Sequence, residues 1–395
     1  MSSATQGSRA SGAAIVLRAV LERGPVARST IARSTGLSPA AVTRHTADLA
    51  AGGFIRQLPQ QVSSGGIGRP HLPVDIDLDR QVVAGVHIAV GYSTLGLLDL
   101  RGNVLAQESL PHAESTPRSV LNAAAQRLSG FVGRHSGRRM LLGVGVAIGG
   151  WVDPGRGVVV EHAPLAWHEV GVREVFARHT RAPIVVDNHA RALATAEQLF
   201  GQARAAASAV HVFVGNVVDA AIVTGGTVHR GPGSAAGDIA HQPLGDPAIV
   251  CACGRHGCLQ ATVSSAAIAA RAAEDGIIAQ PSFSVLLAAA KAGDPAALRV
   301  FRRRAEVVGG AVALLLDVVN PDVLVITEGG ILFLPECLAT VRAVVRARSH
   351  VRVDSVAQVV ASSFAATELL AVAAGTVALD AVYRDPTSPA LEKVR

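Results

Sequence analysis

Aromatic side chains are scarce, at 3% of 395 residues, with only two tryptophans and two tyrosines. Half of the chain is nonetheless hydrophobic, so its interior is built from Ala, Val, Leu and Gly. Long apolar runs are missing too: nothing approaches the roughly 20 residues that a membrane span needs. The opening stretch, Met1 to Arg9, lacks the basic-then-apolar layout of a secretory signal. Cysteines number four, three of them clustered rather than spread as pairs, which argues against a disulfide-stapled secreted scaffold. These absences leave a cytoplasmic protein with no membrane partner, long enough for two or three domains.

Acidic residues are nearly absent from the first seventy positions. Arg9, Arg18, Arg23, Arg28, Arg33, Arg44, Arg56 and Arg69 face only Glu22 and Asp48, which accounts for the whole formal charge of +6. A basic block joined to a neutral body points to a polyanion reader at one end. The pattern there is specific. Apolar residues at helical spacing run from Ala13 to Leu21 and stop at Gly24-Pro25. A short helix over 29–35 ends at Gly36. Ser38 then caps a helix opened by Pro39 and closed by Gly52-Gly53. Ile31, Leu37, Val42 and Leu49 are its expected core contacts, which leaves Ser38, Ala40, Ala41, Thr43 and Arg44 on the outer face, where a recognition helix meets the major groove. His45 is expected to be partly buried. Segments 54–58 and 72–76 read as the strands of a wing. Between them, Gly66-Ile-Gly-Arg69-Pro70 suits insertion of the Arg69 guanidinium into a narrow minor groove. The segment resembles the winged helix-turn-helix of bacterial repressors, most clearly over Thr35 to Arg44.

Cys251, Cys253 and Cys258 lie within eight residues, ten positions after His241. Three thiols and an imidazole close a tetrahedral zinc sphere and leave no place for a reacting water, so the expected Zn²⁺ is structural. Buried reduced thiols beside a chance histidine are the competing reading, and the tight spacing disfavours it. From Val82 onward, strands and helices alternate, with a strand hairpin leading into strand–helix units twice over, as in a two-lobed α/β body.

Gly237-Asp-Ile-Ala-His241 followed by Cys251-x-Cys253-Gly-x-x-Gly-Cys258 resembles the signature of the ROK family of repressors and sugar kinases. Asp187-Asn-His-Ala190, Gly231-x-Gly-Ser-Ala-Ala-Gly237 and Asn320-Pro-Asp-Val-Leu324 match that family's other motifs in order. The resemblance implies an actin-like, hexokinase-like ATPase fold behind the winged domain. It divides the chain into a DNA-binding domain over 1–78 and an effector domain over 79–395. Within the latter, a small lobe spans about 79–188 plus the C-terminal helix, and a large lobe about 189–368 carries the zinc knuckle 241–258. Family sugar ligands map onto Asn188, His189, Asp238, His241 and Gln260, with Gly150 adding backbone contact. Asp238 and Gln260 each stand where the family has Glu.

The phosphate-binding loops depart from the kinases. His87-Ile-Ala89-Val90-Gly91 stands where they have Asp-x-Gly-Gly-Thr, and Gly215-Asn-Val217-Val-Asp219 where they have Gly-Thr-Gly-x-Gly. Side chains at Ala89, Val90 and Val217 block backbone approach, and Asp219 is expected to turn a negative charge toward phosphate. His189 holds the position of the catalytic Asp. The expected function is therefore a non-catalytic DNA-binding regulator, a repressor of carbohydrate-related genes acting as a dimer or tetramer on duplex operator and sensing a sugar. The alternatives are an active sugar kinase with an appended DNA-binding domain, and a regulator that senses zinc.

Overall fold

Serine side chains start two of the first three helices. The Ser11 hydroxyl accepts from Ala14 N at 3.2 Å to open α1 (Gly12–Arg23), and Ser38 accepts from Ala41 N at 3.2 Å to open α3 (Pro39–Ala51). Between them lies α2 (Arg28–Thr35), ended by Gly36 in the left-handed region at φ 72°. This computed structural model describes residues 11–59, 72–350 and 358–388. The two wing strands, β1 (Ile55–Gln57) and β2 (Val74–Ile76), pair antiparallel with Ile55 opposite Ile76. Val16, Leu17, Ile31, Val42, Leu49 and Phe54 bury the inner faces. Leu37 is only partly buried beside them.

The next lobe holds a sheet in the order β10-β6-β3-β4-β5. Its strands are β3 (Gln81–Ile88), β4 (Tyr92–Leu98), β5 (Val104–Pro111), β6 (Met140–Ile148) and β10 (Ile184–Asn188). Helix α4 (Pro117–His135) follows the hairpin. A ribbon of β7 (Trp151–Asp153), β8 (Val158–His162) and β9 (Trp167–Gly171) leads to α5 (Val172–Ala177), and α6 (His189–Phe200) starts where β10 ends.

A second sheet repeats the plan in the order β13-β12-β11-β14-β15. It comprises β11 (Ala209–Val214), β12 (Val218–Thr224), β13 (Thr227–His229), β14 (Val323–Glu328) and β15 (Val359–Ala361). In both sheets a three-stranded antiparallel run continues into parallel strands. Helices α7 (Leu259–Val263), α8 (Ser265–Glu274), α9 (Phe283–Lys291), α10 (Pro295–Val319), α11 (Gly329–Phe333) and α12 (Pro335–Arg348) complete this lobe, and α13 (Leu369–Arg384) returns to the first sheet. The duplicated, two-lobed arrangement is the actin-like, hexokinase-like ATPase fold.

The shortage of rings shows in how α13 lies on its sheet. A Cβ on Gly145 would sit 2.1 Å from the Ala374 carbonyl oxygen, and one on Gly85 would sit 2.3 Å from Gly375 N. Strand glycines and helix alanines thus bring two backbones together with little side chain between them. The expected boundary at residue 78 falls in the turn after β2, but packing runs on across it. Val16, Leu17 and Val20 belong to one buried cluster with Leu98, Leu100, Leu379 and Val382.

Candidate effector cleft, metal cluster and DNA-reading surface

Tight turns bring the thiols together. Gly254 and Gly257 take φ of 82° and 69°, and Cys251 N donates to Arg255 O at 2.8 Å to close the loop. His241 Nδ1 lies 3.6 Å from Cys251 Sγ, and Cys253 Sγ lies 3.6 Å from Cys258 Sγ. A tetrahedron with metal–sulfur bonds of about 2.3 Å and metal–nitrogen bonds of about 2.0–2.1 Å has edges of roughly 3.5–3.8 Å. All four donor atoms lie within 4.8 Å of one another, so His241, Cys251, Cys253 and Cys258 fit one metal ion. Arg255 beside Cys253 lowers that thiol to about 6, while burial raises Cys258 to about 11. His256, inside the same loop, is not in the cluster.

The loop carrying His241 is zipped to the chain after Cys258. Leu259 N donates to Gln242 O and Gln260 N to Ala240 O, each at 2.9 Å. The metal cluster therefore braces Asp238 and Gln260, which line a cavity of 60 Å³ between the lobes together with Gly150, Trp151, Glu161 and His241. By this measure one water needs about 10–15 Å³, so the cavity holds about five waters, less than a hexose fills. The cleft is closed down. Burial, together with the charges of Asp219 and Glu161, raises the Asp238 carboxyl.

Two of the expected contacts do not line this cavity. Asn188 is buried, and its amide is fully occupied: Nδ2 donates to Gly150 O at 2.8 Å and Asp219 at 3.0 Å, while Oδ1 accepts from Ala190 N and Arg191 N to cap α6. His189 is also buried. Its Nε2 meets Asp219 Oδ2 at 2.9 Å, and its Nδ1 meets His87 Nε2 at 3.3 Å. Burial and the neighbouring His189 hold His87 well below the usual histidine range. Glu161 and Trp151 line the cleft without having been singled out from the sequence. Glu161 sits on a short exposed ribbon strand that carries no motif of its own, and the Trp151 indole N–H donates to Gly233 O at 2.7 Å at the rim.

Asp219 corrects a further expectation. It points not toward a phosphate but across to the other lobe, where its Oδ2 accepts from Gly150 N at 3.0 Å, Asn188 and His189. Burial alone would raise this carboxyl, yet the His189 hydrogen bond and charge, with Asn188 and Gly150, lower it below its ordinary value. Beside it, Val217 is buried, and a Cβ on Gly149 would lie only 3.0 Å from its side chain. The loop's amides serve its own chain: Gly215 N donates to Val217 O and Val218 N to Gln260 Oε1, each at 3.0 Å. Gly237 shows why the neighbouring glycine motif is needed. At φ 95°, a Cβ there would sit 1.9 Å from Ala220 O on β12.

At the N-terminal end, Ser38, Ala40, Thr43 and Arg44 are exposed and Ala41 is half-buried on one end of α3. Thr43 Oγ donates to Pro39 O at 2.9 Å, and His45 is half-buried, set against Gly12. Arg69 and the Gly66–Pro70 loop lie outside the described residues. No helix among the described residues is long and apolar enough to cross a membrane.

Comparison with known proteins agrees with this architecture. The ROK family model matches residues 83–378. Transcriptional regulator Mb0495 of Mycobacterium bovis is 35% identical over 95% of this chain and 86% of its own. The DNA-binding transcriptional dual regulator NagC of Escherichia coli is 28% identical over 82% of each. A crystal structure of a ROK family transcriptional regulator, a homolog of the E. coli MLC protein, superposes with a TM-score of 0.77 at 24% identity, covering 97% of this chain and 98% of that one. Mb0495 and NagC, matched over most of their length, are named as transcriptional regulators, and this protein is a member of the ROK family.

Proposed function

We propose that this chain is a DNA-binding transcriptional regulator, a repressor of carbohydrate-related genes, whose hold on duplex operator changes when a sugar enters the cleft, and that it transfers no phosphoryl group. The observation that carries the reading is the crossing of Val217 and Asp219 to the opposite lobe. Phosphoryl transfer rests on glycine turns whose free N–H groups cradle phosphates. Here a buried valine, a carboxylate and amides already bonded to their own chain occupy the matching loop.

The DNA-reading residues are Ser38, Ala40, Ala41, Thr43 and Arg44 at the start of α3, with Arg69 probing the minor groove. Effector contacts come from Gly150, Asp238, Gln260 and His241, and Asn188 and His189 act from beneath by holding Asp219. The metal is structural Zn²⁺ on His241, Cys251, Cys253 and Cys258. It supplies a rigid cross-link and no reacting group. Two copies of the chain, as a dimer or within a tetramer, would set two recognition helices on successive major grooves. Operator binding measured across salt concentrations tests the assignment. Arg44→Ala should lose about tenfold or more in affinity and relax sequence preference at one base pair. If it changes neither, or if the chain turns over Mg²⁺-ATP with any hexose, the reading is wrong.

A further inference from the structure

The cleft lining has a sign. Glu161 from β8, Asp219 from β12 and Asp238 from the loop after Gly237 all line it, and no Lys or Arg does. His241, the one cationic type present, belongs to the metal cluster. Asp219 is the decisive member. It is 5% exposed, and its hydrogen bonds from Gly150 and Asn188 and its close contact with His189 all fall on Oδ2. The other oxygen, Oδ1, takes none of these contacts, and its side chain lines the cavity. A buried carboxylate with one oxygen left over is an acceptor awaiting a donor. Glu161 at the exposed rim and Asp238 opposite add two more acceptors.

Carboxylates accept from hydroxyls, but they favour a cationic donor more strongly and repel anions. We propose that the cleft selects an amino sugar, a monosaccharide carrying a free protonated amine, over the neutral parent hexose, and that it rejects sugar phosphates. This deepens the effector reading above and rests on it. The 60 Å³ cavity admits a monosaccharide only after the lobes part.

Calorimetric titration of the full-length, metal-loaded protein tests the proposal. At pH 7 and fixed ionic strength, glucosamine, mannosamine and galactosamine would be compared with the parent hexoses, their N-acetyl derivatives and hexose 6-phosphates. The best amine should bind about tenfold more tightly than its neutral counterparts, as one desolvated charge pair provides, and that advantage should shrink as salt rises. No binding is expected for the phosphates. Glu161→Gln, at an exposed position that leaves folding intact, should cut the amine advantage to about threefold. A phosphate or a neutral hexose that binds as tightly as the amine overturns the proposal. Should a neutral hexose release the operator without any amine preference, this inference falls and the effector reading stands. Should no monosaccharide of any kind bind, the effector reading falls and takes this inference with it.

Discussion

At the residue scale, buried histidines gather around Asp219. His87 reaches His189, His189 reaches Asp219, and His162 and His211 lie close enough for the charge of His189 to act on both. Burial lowers His162 to about 4 and His211 to about 3, and it lowers His87 as well. Each folded-state value lies below the unfolded one, so the unfolded chain binds the extra protons as pH falls below about 6.5. The stability these three residues contribute is therefore complete above that pH and drains away beneath it. At pH 5 His162 and His211 should each cost about 2 kcal/mol relative to neutral pH. Urea unfolding at pH 7.5 and pH 5 would measure the loss, and His211→Gln should make it shallower. An unchanged slope in that variant would mean that His211 is not buried in its neutral form.

Elements here are held by close backbone approach more than by large side chains, and α13 on its sheet is the clearest case. Gly145→Ala should cost about 1–3 kcal/mol, because the new methyl meets a helix carbonyl and not a flexible side-chain end. Ser38→Ala should cost α3 about 1 kcal/mol through its lost cap, read as a lower melting temperature. Much of this level was legible in the sequence. Caps at Ser38 and breaks at Gly36 and Gly52 placed the first helices, and the strand–helix alternation from Val82 onward placed the two-lobed body. Strand β5 was not legible, since Val104–Pro111 mixes polar and apolar residues on a half-exposed edge, and neither were the short ribbon strands β7–β9. The metal cluster was legible because its donors are close in sequence. The cleft was legible only in part: which way Asn188, His189 and Asp219 point depends on a partner lobe that no local pattern records. The cluster also makes a prediction at this scale. Cys258→Ser, or chelation, should speed hydrogen exchange across residues 238–260 while leaving residues 13–51 unchanged, because Ala240 and Gln242 are zipped to the chain beside Cys258.

For the whole molecule, the question is how a closing cleft reaches the DNA-reading helices some distance away. Helix α6 is capped by Asn188 and begins at His189, directly beneath the cavity, and it carries Glu197 in its last turn. The Glu197 carboxylate is buried and accepts from Ser362 Oγ at 2.8 Å, Ser363 N at 2.9 Å and Ser363 Oγ at 2.6 Å, which ties α6 to the segment leading into α13. One residue on, the Gln198 carbonyl accepts from Arg18 Nη2 of α1 at 3.2 Å. The seam is fastened again where Arg101 bridges Asp75 Oδ1 at 2.5 Å and Leu21 O at 3.2 Å, and where the Tyr383 hydroxyl of α13 donates to Leu100 O at 2.7 Å. A helix anchored at both ends moves as a rod, so a shift at His189 is felt by α1 through Gln198 and Arg18. Coupling of this kind is a free energy between two sites, and it is lost when the link is cut even if each site is intact. Arg18→Ala should therefore leave effector affinity and ligand-free operator affinity within about twofold, while reducing the effector-induced change in operator binding by roughly 5-fold or more. Measuring operator affinity with and without saturating effector, in the wild-type protein and this variant, decides the matter. If the effector releases the operator equally well from both, the signal does not travel through α6 and Arg18.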